Sequence, residues 1–135
     1  TVSQLVMTSL NITTLSGGWM GDGEELFWCC PDPYFNINGD GINYNSATID
    51  ESETPNYTGL SIPLAYGAEY DVSFYDEDGI VSDDDYLGTA TFMASAPGEY
   101  MINGGGNTAI ITIEETIAAQ FEDAETIVVY ESIDS

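Results

Sequence analysis

The sequence predicts an all-β domain, folded as an antiparallel β-sandwich or a barrel. Short apolar or alternating runs are separated by turn residues along the chain, a pattern typical of both architectures. Nine Tyr and 14 Gly, together with many Thr, Ile and Val, favour strands and turns over helices. The 135 residues fit one domain, and 43% are hydrophobic, which is enough for a core.

Four strands are predicted in the first half of the chain. Residues 5–12 form an apolar run, residues 25–30 and 34–38 lie on either side of a Pro-Asp-Pro break, and residues 47–50 form a short strand. The sequence Asn38-Gly39-Asp40-Gly41 favours a hairpin or a tight loop, because Asn-Gly and Asp-Gly accept positive φ angles.

The second half is predicted from alternation, with a flexible turn at residues 104–106. Residues 126–130 are apolar on both faces, as expected for a buried or partner-covered strand. Residues 114–121 are the one predicted helix, because apolar residues there share a face at helical spacing. Apolar and polar residues alternate in four further segments, each a predicted strand: residues 60–64, 70–75, 89–93 and 109–113.

The charge pattern is the most unusual property of the chain. It has no Lys, Arg or His against 24 Asp and Glu, for a formal net charge of -24. No carboxylate can therefore be neutralised by a side-chain cation. A compact fold must separate its carboxylates, protonate them or recruit external cations. Clustered carboxylates favour the last option, and the hard, oxygen-seeking Ca²⁺ is the natural choice.

The missing residue types also exclude functions. Nucleic-acid binding requires Lys or Arg to neutralise phosphates, and direct binding to anionic membranes is disfavoured for the same reason unless Ca²⁺ bridges the two. Without His or Lys there is no ordinary nucleophile–base pair and no Schiff base, so we expect the protein not to be an enzyme. The sequence starts at Thr1 without an initiator Met, and we expect a mature, secreted, extracellular or cell-surface protein.

The acidic residues cluster in two places. In the distal acidic segment, residues 76–85, six of ten residues are acidic. Alternate side chains of an extended segment point the same way, so Asp76 and Asp78 can converge on one ion, with Asp84 or Asp85 returning from the far side. The alternative is a solvated acidic turn. The proximal acidic segment, residues 22–32, holds Asp22, Glu24, Glu25 and Asp32.

These segments resemble a C2 domain, the calcium-binding β-sandwich of protein kinase C and synaptotagmin. The sequence Pro31-Asp32-Pro33-Tyr34 is similar to the family's first loop, and residues 74–78 with 84–88 are similar to its third loop. Thr54-Pro55-Asn56-Tyr57 looks like the family's Asn-Pro-x-Trp corner in altered order. The resemblance implies about eight strands between residues 5 and 113, followed by a C-terminal extension at residues 114–135 with an extra strand.

By that resemblance the cofactor is Ca²⁺. The third-loop ligands would be Asp76, Asp78 and either Asp84 or Asp85. The first-loop ligands would be Asp32 and one of Asp22, Glu24 or Glu25. The chain lacks the basic patches of the family's lipid-binding members, which puts phospholipid docking in doubt.

Three further features are candidates for modification or assembly. Cys29 and Cys30 are adjacent, so they are either buried thiols or partners in disulfides between subunits. Asn11 and Asn56 begin glycosylation sequons. The apolar strands at residues 5–12 and 126–130 lie near the two ends of the chain, where they could add to a neighbour's sheet or complete their own sandwich. The resulting hypothesis is a self-associating, calcium-stabilised subunit of a fibre, surface layer or adhesin, and the alternative is a calcium-dependent lipid- or glycan-binding module.

Overall fold

The computed structural model describes residues 3–16, 31–50, 52–77 and 84–117. These residues form nine strands and no helix, so none of them belongs to a helix that could cross a membrane. The predicted all-β class is confirmed. The strands are β1 (Ser3–Thr14), β2 (Pro33–Gly39), β3 (Ile42–Asn45), β4 (Asn56–Tyr57), β5 (Ile62–Leu64), β6 (Ala68–Asp76), β7 (Asp85–Ala94), β8 (Gly98–Gly104) and β9 (Asn107–Ile117).

Two antiparallel sheets make the sandwich. The first sheet has the order β4-β1-β9-β8, with β5 also paired to β1, and the second has the order β3-β2-β6-β7. Strand β1 is an inner strand, because β9 pairs with one edge while β4 and β5 share the other. The apolar run at residues 5–12 therefore completes the chain's own sandwich and does not add to a neighbour's sheet.

The core lies between the sheets and consists of every second residue of the long strands. The expected inward faces of β6, β7 and β9 are confirmed. In β1 a bulge between Met7 and Ser9 shifts the register, so that the inward positions resume at Leu10. The largest fully buried side chains are Tyr70, Phe35, Phe74, Leu5, Met7, Leu10, Ile12, Ile37, Leu64, Ile111, Ile113 and Val72.

The predicted hairpin at Asn38-Gly39-Asp40-Gly41 is confirmed. Asp40 and Gly41 both have positive φ, 46° and 81°, and the register pairs Gly39 with Ile42. These are the features of a two-residue type I′ turn, whose twist matches that of the flanking strands.

The predicted strand at residues 47–50 is wrong. The two-residue turn places β3 immediately after Gly41, so pairing with β2 is complete at Asn45, opposite Asn36. The chain then continues outside the ladder, where the Ile49 N–H donates to the Pro33 carbonyl at 3.0 Å.

The predicted helix at residues 114–121 is also wrong where it can be compared. Glu114–Ile117 continue β9 and pair with Val6–Ser3 at the start of β1. Pairing with β1 gives the backbone N–H and C=O groups of these residues hydrogen-bond partners in the sheet, in place of those that a helix would provide. Residues 118–121 lie outside the described residues, as do the predicted strands at 25–30 and 126–130. Strands β3, β4 and β8 were not predicted.

Candidate metal centre

Three strand ends of the second sheet meet at one end of the sandwich and bring acidic residues together. Asp32 immediately precedes β2, Asp76 ends β6 and Asp85 begins β7. The register pairs Pro33 with Asp76, and Asp76 with Asp85. The proximal and distal acidic segments therefore adjoin at this end, which we call the loop end.

Asp32 and Asp76 are joined directly although 44 positions separate them in the sequence. The Asp32 N–H donates to Asp76 Oδ1 at 2.8 Å, and the Glu77 N–H donates to the Asp32 carbonyl at 2.9 Å. Asp76 is fully buried, with 0% of its surface exposed. The Oδ2 atoms of Asp76 and of the half-buried Asp85 are both buried, so one carboxylate oxygen of each residue is kept out of water at the loop end.

The structure separates the two candidates that compete for the returning ligand. Asp85 lies opposite Asp76 in the ladder with a buried carboxylate oxygen. Asp84 is exposed, and its Oδ2 accepts a hydrogen bond from Tyr34 Oη at 2.7 Å. Burial is the largest cause that raises the pKa of Tyr34 well above its ordinary value, and the hydrogen bond that Tyr34 donates to Asp84 raises it further. Of these two residues, Asp85 is the one placed beside Asp76.

Within the described ranges, no three or more carboxylates form a group able to hold a metal ion. The predicted ligands Asp22 and Asp78 lie outside those ranges. The buried oxygens of Asp76 and Asp85 are carboxylate oxygens, the kind of ligand that a hard cation such as Ca²⁺ prefers.

A buried tyrosine fixes the start of β2. Tyr57 Oη donates to the Pro33 carbonyl at 2.7 Å, and its ring meets Phe35 edge-on with 5.0 Å between centroids. Burial raises the pKa of Tyr57 to about 12. Since Tyr57 belongs to β4 of the first sheet, it ties the residue that follows Asp32 to the opposite layer.

The remaining candidates lie elsewhere. Asn11 and Asn56 pair directly across β1 and β4 in the first sheet, with Asn56 exposed and Asn11 half-buried. Cys29 and Cys30 lie outside the described residues.

Sequence reasoning missed Asn107, one of the two buried polar or charged residues in the described ranges. The signal was present, because Asn107 occupies the same inward parity in β9 as Ala109, Ile111 and Ile113. A polar residue in an otherwise apolar row requires hydrogen-bond partners.

Comparison of this structure with solved structures identifies its fold. No family model and no curated protein matches the chain, but solved structures do. A structure described as a C2 domain matches with a TM-score of 0.64 and 16% identity, covering 86% of this chain and 100% of the other. Human GIVD cytosolic phospholipase A2, in complex with methyl gamma-linolenyl fluorophosphonate inhibitor and terbium chloride, matches with a TM-score of 0.62 and 15% identity.

That match covers 87% of this chain but only 17% of the phospholipase. Extended-synaptotagmin 2, described by its SMP domain and its two C2 domains, matches with a TM-score of 0.54 and 20% identity over 84% of this chain and 27% of the other. These likenesses show the C2 fold that the sequence resemblance predicted. The chain therefore has a C2-like fold.

Proposed function

We propose that this protein binds Ca²⁺ at the loop end through ligands from both acidic segments: Asp32, Asp76 and Asp85, which do not by themselves form a group able to hold the ion, together with Asp78 and Asp22. The observation that carries the proposal is the buried carboxylate of Asp76, held against the Asp32 backbone in a chain that has no cationic side chain. Burying a carboxylate is costly unless its charge is compensated. A cation bound here would compensate the charge and join the two acidic segments.

Calcium fits better than the other common protein metals. It accepts about six to eight oxygen ligands in flexible geometry, and the two acidic segments offer many carboxylates. Structural zinc sites are built mainly from Cys and His, and the chain has no His and only two Cys, which are adjacent. C2 domains commonly bind Ca²⁺, and Asp32 and Asp76 match the family's motif positions.

Terbium luminescence tests the ligand assignment. Tyr34 and Tyr75 stack with 5.1 Å between centroids, and Tyr75 meets Tyr86 at 5.6 Å, so these rings can sensitise Tb³⁺ bound at the loop end. We expect Tb³⁺ to bind and Ca²⁺ to displace it. Asp85→Asn should lower the Ca²⁺ affinity by about tenfold, which corresponds to about 1.4 kcal/mol. Asp84→Asn should lower the affinity much less.

Both substitutions remove one negative charge from adjacent positions, so each is the control for the other. Equal affinities for the two variants would contradict the assignment of Asp85. Failure of the wild type to bind Tb³⁺ or Ca²⁺ would contradict the calcium site itself.

We further propose that the calcium-loaded domain is a structural, non-enzymatic subunit of an extracellular fibre, surface layer or adhesin. The absence of Lys and Arg removes every trypsin site, which suits a durable extracellular assembly. Both edges of β1 are paired within the chain, so β1 has no free edge for a neighbouring subunit. Self-association is therefore assigned to the apolar residues 126–130.

Light scattering checks the assembly proposal. The purified protein should assemble in millimolar Ca²⁺, and deletion of residues 126–135 should abolish assembly while leaving Tb³⁺ binding intact. A wild-type protein that remains monomeric at high concentration in Ca²⁺ would contradict a structural role of this kind.

The second candidate function is calcium-dependent capture of lipid headgroups or glycans. It is favoured by the C2 fold and by the match to a cytosolic phospholipase A2. Since the chain has no basic residue, anionic vesicles should cosediment with it only when Ca²⁺ bridges the two. The same 126–135 deletion separates the candidates, because it should spare vesicle or glycan binding.

A further inference from the structure

A buried amide connects both sheets at the loop end. Asn107 is 1% exposed, and its Oδ1 accepts a hydrogen bond from the Ser16 N–H at 2.8 Å. Its Nδ2 donates to the carbonyls of Leu87 and Gly104, each at 2.9 Å. Ser16 Oγ also donates to the Leu87 carbonyl, at 3.1 Å. The Leu87 carbonyl thus accepts two side-chain hydrogen bonds.

The residues that Asn107 joins lead to the two acidic segments. Ser16 follows β1, on the side of the chain that continues into the proximal acidic segment. Leu87 is two positions after Asp85 in β7. The hydrogen bonds to the Leu87 carbonyl therefore hold the stretch of backbone that also carries Asp85. One side chain of the first sheet therefore bonds both the backbone at the end of β1 and the backbone of β7 two positions from Asp85.

The backbone is closely packed around this connection. A Cβ atom on Gly88 would lie 2.8 Å from Asn107 Nδ2 and 2.9 Å from Gly105 Cα. Contacts that close leave no space for a larger side chain between the hairpin and β7. The β8–β9 hairpin and the start of β7 therefore hold one fixed relative position as long as the amide remains bonded.

We propose that Asn107 is a positioning residue for the calcium site: it holds Leu87, and through it Asp85, against the end of β1. This inference rests on the proposed calcium binding. A metal ligand held in place before the ion arrives loses less conformational freedom on binding, so affinity increases. The role also explains why an amide occupies an inward position that the rest of β9 fills with apolar residues.

The experiment compares Tb³⁺ and Ca²⁺ affinities of the wild type with those of Asn107→Leu. Leucine has nearly the shape of asparagine and the same charge, but it makes none of the amide's hydrogen bonds. We expect a loss of affinity of about tenfold, the loss that corresponds to about 1.4 kcal/mol. The lifetime of Tb³⁺ luminescence should shorten, because a displaced Asp85 carboxylate lets an additional water reach the ion.

Two further variants separate positioning from stability. Asn103→Leu removes the partner of Thr108 Oγ1 in the same hairpin, an exposed hydrogen bond of 2.8 Å, and should change neither affinity nor lifetime. Leu64→Ala destabilises the core at the opposite end, and should lower the thermal midpoint without changing affinity below it. Ser16→Ala, a milder substitution, should give a smaller loss of affinity in the same direction.

The outcomes are distinct. If the wild type binds and Asn107→Leu or, where that variant does not fold, the smaller Asn107→Ala binds with unchanged affinity and lifetime, the positioning role is overturned while the calcium site stands. If the wild type binds neither ion, the proposed function fails and the positioning role fails with it.

Discussion

Saturating Ca²⁺ should raise the thermal midpoint of unfolding by about 10–15 °C relative to the protein in chelator. A ligand that binds only the folded state at a hundred- to thousandfold excess over Kd stabilises it by about 3–4 kcal/mol. For a domain of this length, each kcal/mol corresponds to about 3–4 °C. Scanning calorimetry with Ca²⁺ and with chelator measures the difference directly.

Replacing Asp76 and Asp78 together by Asn should remove most of that rise. The two residues are alternate positions of one acidic segment, and Asp76 is fully buried. Without Ca²⁺ the variant should be at least as stable as the wild type, because a buried charge that no side-chain cation offsets has been neutralised.

The matched control is Asp40→Asn with Glu99→Gln, which removes the same two charges from exposed residues away from the loop end. Asp40 belongs to the hairpin at the far end of β2, and its positive φ of 46° suits Asn as well as Asp. This control should retain the calcium-dependent rise. A rise that disappears equally in both variants would indicate general screening of the net charge and would contradict a specific site.

The elements that the sequence predicted correctly are those with local signals. The turn at Asp40 and Gly41 requires two positive φ angles, and Asp-Gly is one of the residue pairs that adopt them most readily. Alternation predicted the inward faces of β6, β7 and β9 for the same reason, since the period of a strand is local. Strand β3 has no such pattern of its own, because it is defined by pairing with β2 at the register the turn imposes.

The same limit applies to the site. The motif placed Asp32 and Asp76 in matching loops, and the structure brings them together. The choice between Asp84 and Asp85 depends on a bulge: Phe74 pairs with Gly88 but Tyr75 pairs with Tyr86. The extra residue, Leu87, changes which side the preceding residues of β7 face relative to the rest of the strand. The bulge depends on packing between strands, so the sequence alone left both residues as candidates.

Tyr57→Ala should lower the free energy of unfolding by about 3–5 kcal/mol, as large-to-small substitutions of buried aromatic residues do. Its ring meets Phe35 in the core, and its hydroxyl bonds the Pro33 carbonyl across the sandwich. Tyr57→Phe keeps the ring and should cost about 1–3 kcal/mol, since a buried carbonyl loses its donor. Chemical denaturation in chelator separates these effects from those of calcium.

Tyr66→Ala is the control, because this tyrosine is 48% exposed and its hydroxyl bonds the Glu115 carboxylate at the surface; its cost should stay within about 0.5 kcal/mol. The comparison of Tyr57→Phe with the wild type then has a second consequence. Since Pro33 directly follows Asp32 in the chain, loss of the Tyr57 hydroxyl should lower the Ca²⁺ affinity as well as the free energy of unfolding. A Tyr57→Phe variant with unchanged stability and unchanged Ca²⁺ affinity would show that packing of the ring alone holds the first sheet to the start of β2.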